Sequence, residues 1–386
     1  MIKIDTKKNE TFSLGELASN ISERVEPQDT DLAIYVGLEH LDPECIHIKR
    51  RGVPADVKGV KLRVYPGDII FGKRRAYQRK AGLVDFDGIC SAHAMVVRAN
   101  PEVILPELFP FFMHSDVFMH RAVDISEGSL SPTIKWKILA EEKFRLPSLA
   151  EQKRLADLLW SVYDVSEKYV DMVRDINKLK DGILRSFYEN QSKTKQKRLR
   201  DLTSLITKGT TPTTVGFKFL DKGINFIKAE SISEDNGFLP DKFGFISNKC
   251  HESFKRSQLF QEDILFSIAG VIGRCAMISE DYVPANINQA LALIRLEDPL
   301  LDKEYLMLFL TSNYVLQHFN RISVKTAQVN VSLKQIRDLA IPIPEIKSQK
   351  NLVIEVKKIQ NLYKDCLLHI RNTREIKMQL INQIFR

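Results

Sequence analysis

Apolar residues recur every three or four positions along one stretch, at Leu155, Leu158, Val162, Val165, Tyr169, Met172, Ile176, Leu179 and Ile183. This alternation is the heptad rhythm of a helix that packs lengthwise on another helix. No proline falls between Ser148 and Tyr188, and the single glycine there is Gly182. Pro147 followed by Ser148 and Glu151 predicts a helix start closed by a capping box. About forty residues rise roughly 60 Å, too long for an ordinary domain core. A second stripe runs through Leu352, Val356, Ile359, Tyr363, Cys366, Ile370, Thr373, Leu380 and Ile384, interrupted at Lys377, in a helix over Glu345–Phe385. Neither stripe buries itself alone. The economical solution packs the two helices on each other, antiparallel, within one chain. A homodimeric coiled coil, or two unrelated core helices, are the other solutions.

The rest of the pattern is mixed. Residues 12–25 read as a short amphipathic helix. Strand-like runs follow at Ala33–Leu38, Val60–Val64, Asp68–Gly72 and His93–Val97, then a helical segment at Glu107–Phe118 and an extended run over 138–146. The same order returns at Lys197–Thr207, Ile224–Ala229, Asp263–Ile268, Ala290–Leu296 and Lys303–Phe319. Gly67-Asp68-Ile69-Ile70-Phe71 matches Glu262-Asp263-Ile264-Leu265-Phe266, 195 residues on; Glu107, Phe112, Ser115, Pro147 and Gln152 match Glu304, Phe309, Ser312, Pro344 and Gln349, 197 residues on. A shared order with a constant late offset marks a tandem duplication. Strands before helices, without regular βαβ alternation, predict α+β domains. The expected boundaries are a first domain over 1–146, a long helix over 147–190, a second domain over 191–343 and a last long helix over 344–386.

Composition narrows the function classes. The 386 residues carry 57 Lys and Arg against 49 Asp and Glu, a net charge of +8, which favours a polyanionic partner. No apolar run is long enough for a membrane span, and the first residues lack the apolar core of a secretory signal, so the expected location is the cytoplasm. Five cysteines without a C-x-x-C pair argue against a disulfide scaffold or a zinc site. No P-loop, H-E-x-x-H or G-x-S-x-G motif is present. Catalysis by this chain alone is not expected.

Binding residues are more informative. Lys73-Arg74-Arg75-Ala76-Tyr77-Gln78-Arg79-Lys80 places five cations, a stacking aromatic and an amide between two strand-like runs. Such a loop can neutralise phosphates and reach base edges; a solvated hairpin tip is its plain alternative. The matching loop, Ala269-Gly270-Val271-Ile272-Gly273-Arg274, is glycine-rich, with Arg274 as a positioning charge. Lys208, Thr210 and Thr211 in Lys208-Gly209-Thr210-Thr211-Pro212 offer a charge and hydroxyls. Lys325 and Gln328 lie in a polar loop before the last strand, at the place held by Glu127–Thr133 in the first repeat. Each of these loops can also be an ordinary turn.

The order of these features resembles the DNA specificity subunit of type I restriction-modification systems. The resemblance rests on the repeat, the Asp-Ile-Ile/Leu-Phe strand, Gly209-Thr210-Thr211-Pro212, the Asn288-Gln289 pair, and the Leu/Ile-Pro edge running into Glu151-Gln152-Lys153 and a long helix. It departs at the first repeat, which lacks Gly-x-Thr-Pro, and at Ser348, which stands where Glu151 is expected. The resemblance implies two tandem target recognition domains separated by two long antiparallel helices, an intramolecular coiled coil. It implies double-stranded DNA as ligand, and two methyltransferase subunits and restriction/translocase subunits as partners. S-adenosylmethionine, ATP and magnesium would sit on those partners, with no cofactor or metal on this chain. A related two-subunit system, an enzyme with divergent motifs and a protein-binding coiled-coil scaffold are the rival classes.

Overall fold

A computed structural model describes residues 9–191, 195–322 and 330–386. The chain divides into two compact units, one of residues 1–171 with 366–386 and one of 172–365. Both are α+β, and both are built in the same order.

In the first unit a four-stranded antiparallel sheet runs Ala18–Ile21, Met95–Ala99, Ile69–Phe71, Ala81–Leu83. In the second, Thr203–Lys208, Leu291–Leu296, Ile264–Ser267 and Cys275–Met277 repeat that order. A smaller sheet in each contains one parallel pair, Tyr35–Val36 with Gly88–Cys90 and Ile224–Ile227 with Ala285–Ile287. The extra strand differs. Lys61–Val64 joins the later member of the pair in the first unit, and Gly244–Ile246 joins the earlier member in the second. A two-stranded ribbon closes each unit, Glu10–Ser13 with Lys143–Leu146 and Gln196–Arg198 with Ala340–Pro342.

Side-chain networks repeat with the backbone. Asp68 is buried, takes the Arg98 guanidinium at 2.7 and 3.0 Å, and accepts from the Tyr65 amide. Asp263 is buried, takes Arg295 at 2.8 and 2.7 Å, and accepts from the Phe260 amide. Each arginine also lies over the ring of that aromatic residue, at 5.2 Å for Tyr65 and 4.2 Å for Phe260. Burying a carboxylate is costly unless donors and a paired charge of this kind meet it. At the start of each long helix a buried glutamine staples three backbone groups. Gln152 donates to Val103 and Pro147 and accepts from Leu105; Gln349 donates to Leu300 and Pro344 and accepts from Asp302.

The long helices span Leu149–Gln191 and Ile346–Ile384. In the first unit, Leu155, Leu159 and Tyr163 share a core with Ile381, Ile384 and Phe385. Tyr163 faces Lys377 and Tyr169 stacks on His369, so one helix ascends in number as the other descends. In the second unit, Leu184 and Tyr188 share a core with Leu352, Val353 and Val356.

Several local expectations change. Residues 12–25 are not a helix: a single turn, Leu14–Leu17, joins two strands, because the buried Leu14 and Leu17 supply one turn of apolar face and nothing continues it. Residues 136–141 are helical and only Lys143–Leu146 is extended. The Glu107–Phe118 segment breaks before Asp116, where Ser115 caps a new helix. Glu151 does not complete a capping box with Ser148; its carboxylate turns to Arg154.

The first seam is displaced by one position. Val165, Met172 and Leu179 are 44%, 43% and 55% exposed, and Leu158, Val162, Tyr169 and Ile183 are half-buried. Of the nine, Leu155 and Ile176 are buried; the buried line otherwise runs through Leu159, Tyr163, Ser166, Leu184 and Tyr188. Adjacent apolar pairs such as Leu158-Leu159 and Val162-Tyr163 satisfy the same period on two neighbouring lines. Periodicity alone does not choose between them. On the second helix Val356, Ile370 and Ile384 are buried and Ile359, Tyr363 and Leu380 half-buried; the interrupting Lys377 is itself buried in that line.

Candidate nucleic-acid interface

In both units the loop after the central Asp-Ile-(Ile/Leu)-Phe strand leaves the sheet through a left-handed residue. Arg75 has φ 55° and Gly270 has φ 75°. Glycine takes that conformation freely, whereas arginine holds it at a cost of about 1 kcal/mol or more. In the first unit the residues beyond Arg75 form a short turn, Ala76–Gln78, with Ala76 buried and Tyr77 57% exposed.

The seven predicted binding residues of this loop separate into two sets. Arg75 and Tyr77 point to solvent, with Lys73, Arg74 and Gln78 half-buried behind them. Burial lowers the Lys73 pKa, with a smaller push from Arg74. Arg74 Nη1 stands 3.4 Å from His93 Nδ1, and burial, followed by Arg74 and Lys73, keeps that histidine below its ordinary value. Arg79 and Lys80 depart from expectation. Arg79 pairs with Asp116 at 2.8 Å and Glu44 at 3.2 Å and donates to the His114 carbonyl at 3.1 Å. Lys80 donates to the Leu38 carbonyl at 2.8 Å. Their charges hold the loop to the domain.

Arg274 behaves like Arg79. Its guanidinium donates to the Ile232 carbonyl at 2.9 Å and meets Glu234 at 3.4 Å, so it ties the loop down rather than standing free as a positioning charge. The exposed side chain of this loop is Val271, at 57%. Gly273 is favoured by its backbone, at φ 96°, a conformation that other residues resist.

Lys208 and Thr210 do come together. They line a cleft of about 290 Å³ with Ser253, Phe254, Arg256 and Ser257. The cleft sets two exposed cations, Lys208 and Arg256, among hydroxyls. Gly209 passes so close to the Ile287 carbonyl that no Cβ fits, and Thr211 donates to the Gln289 side chain, which anchors this edge. Arg256, Ser253 and Ser257 were not singled out from the sequence; the basic pair Lys255-Arg256 just after the short helix Asn248–Ser253 was the available signal. Lys325 and Gln328 lie outside the described residues. Among the described residues no cluster of His, Cys, Asp and Glu has a metal-holding arrangement, and no helix is long and apolar enough to cross a membrane.

Known proteins are similar to parts of this chain in sequence and to the whole in fold. Residues 191–377 match the family described as Type I restriction modification DNA specificity domain. The Type I restriction enzyme EcoBI specificity subunit of Escherichia coli is 30% identical over 114 residues, covering 30% of this chain and 24% of that one. The Type I restriction enzyme MjaVIII specificity subunit of Methanocaldococcus jannaschii is 21% identical over 260 residues, covering 61% of this chain and 60% of that one. The chain thus spans less than two thirds of the length of either relative. A chain from a solved structure describing complex assembly and conformational transition of the type I R-M system shares the fold, with a TM-score of 0.65 at 20% identity over 98% of this chain and 97% of that one. Residues 191–377 thus match a type I specificity domain, and parts of the chain are similar to type I specificity subunits.

Proposed function

We propose that the chain is the non-catalytic DNA-recognition subunit of a type I restriction-modification complex, reading a bipartite, asymmetric duplex site. The observation that carries this is one framework built twice with unlike loops at the same left-handed position, Lys73–Lys80 in one unit and Ala269–Arg274 in the other. Two readers of the same build but different chemistry recognise two different half-sites, and tethering makes the second contact effectively intramolecular. In this reading the units are target recognition domains, and the long helices form an antiparallel spacer that sets the distance between half-sites. Two methyltransferase subunits dock on that spacer, and restriction/translocase subunits join them. S-adenosylmethionine, ATP and magnesium belong to those partners, and the assembly works in the cytoplasm.

The test is to map methylated adenines in DNA from cells expressing this chain with its methyltransferase subunit. The expected result is one sequence of two unlike halves separated by a fixed unread spacer. Methylation at a palindrome, or without sequence preference, overturns the reading.

A further inference from the structure

The loop Glu127–Thr133 carries an apolar side chain without apolar company. Leu130 is 92% exposed, more than any other large hydrophobic residue described. The loop is nonetheless closed. Glu127 and Thr133 exchange backbone hydrogen bonds at 3.1 and 2.9 Å, the Thr133 hydroxyl donates to the Ser131 carbonyl at 3.1 Å, and Lys135 pairs with Glu127 at 2.7 Å. Gly128, at φ 111°, makes the bend that other residues resist.

One leg of this loop is fixed to the cationic turn. The Arg75 amide donates to the Pro132 carbonyl at 2.8 Å, and the Ile134 amide donates to the Lys73 carbonyl at 3.0 Å. A single exposed leucine on a surface is ordinary. A leucine at the tip of a hydrogen-bonded loop, fixed beside three consecutive cations, is a more specific arrangement. Cations beside an apolar tip suit a duplex, where the charges take phosphates and the tip enters a base step. A protein partner would call for a wider apolar surround, and the neighbours here are Ser129, Ser131, Glu127 and Lys135.

We infer that Leu130 is a wedge residue, entering a base step of the half-site read by the first unit while Arg74 and Arg75 neutralise adjacent phosphates. This rests on the DNA-recognition reading above. A wedge there opens the stack and lowers the cost of moving the target adenine out of the helix.

The experiment uses the full chain with its methyltransferase subunit and duplexes of the mapped site carrying 2-aminopurine at successive positions. Apart from the methylated adenines, where a base leaving the stack also brightens, the unaltered protein raises fluorescence at one step of one half-site. Leu130→Ser removes that rise and weakens binding about tenfold, while the salt dependence stays unchanged because no phosphate contact is lost. Leu130→Phe keeps the rise. The melting temperature of all three is the same, since the side chain is exposed. If Leu130→Ser retains both fluorescence and affinity, the wedge is overturned and DNA recognition stands. If the unaltered complex shows no sequence preference, both fail. If Leu130→Ser loses the methyltransferase subunit but keeps the fluorescence rise of the complexes that form, Leu130 is a protein contact and the wedge is overturned.

Discussion

The two units share what is buried and differ in what is exposed. Asp68 with Arg98 and Asp263 with Arg295 make the same bidentate pair, Gln152 and Gln349 the same three hydrogen bonds, and Arg79 and Arg274 the same inward tether. Between tether and strand the first unit exposes Arg75 and Tyr77, and the second exposes Val271. Buried polar groups must be satisfied together, so they vary together or not at all. A loop whose ends are tethered is released from that constraint, and its exposed residues are free to take up different ligand chemistry.

The largest test of the shared framework is removal of the glutamine staples. Gln152→Ala leaves two carbonyls and an amide unpaired in the first unit, and Gln349→Ala does the same in the second. Each should cost about 3 kcal/mol, confined to its own unit. Hydrogen exchange read separately on the Ile69–Phe71 and Ile264–Ser267 strands checks this. Unequal losses would show that matching geometry does not mean matching energetics.

Acid should then distinguish the units. His114 is buried with Nε2 donating to the Ala81 carbonyl at 2.9 Å, and burial, followed by Lys377 and Arg79, pushes its pKa down to about 3. The unfolded chain takes up a proton near pH 6.5, which the native histidine refuses until about pH 3. Stability from this group is therefore full above 6.5 and falls as pH drops, by about 1.4 kcal/mol per unit at full slope. Thr311 occupies the matching position in the second unit. Protection in the first unit should fall faster between pH 6.5 and 5, and His114→Gln should flatten that excess. An excess slope that survives the substitution would mean that His114 is not its source.

How much of this was legible in the sequence depends on which force decides each feature. The long helices, the central strands and the repeat were legible because period and order record burial. The displaced seam was not, because Leu158-Leu159 and Val162-Tyr163 offer apolar side chains on two adjacent lines and only tertiary packing selects Leu159 and Tyr163. The cationic loop was found by charge, but charge alone gave Arg79 and Arg75 the same role. Their separation depends on Glu44 and Asp116, residues distant in the chain that fold beside Arg79. The cleft at Lys208 was half legible, since Arg256 joins it from a segment nearly fifty residues away.

The smallest effects divide tether from reader. Arg79→Ala should destabilise the first unit by about 1 kcal/mol, as it removes the ion pairs to the part-exposed Asp116 and Glu44 and leaves the His114 carbonyl without this donor. Arg75→Ala should leave stability within about 0.5 kcal/mol and lower the salt slope of DNA binding by about one. Val271→Ala should leave both stability and slope in place and weaken binding only a few-fold, because a short apolar side chain contributes by contact with a base rather than by releasing counterions. Titration of the assembled complex at several salt concentrations separates the three. A salt-slope change at Val271, or none at Arg75, would reverse the assignment of charge-based reading to the first unit and contact-based reading to the second.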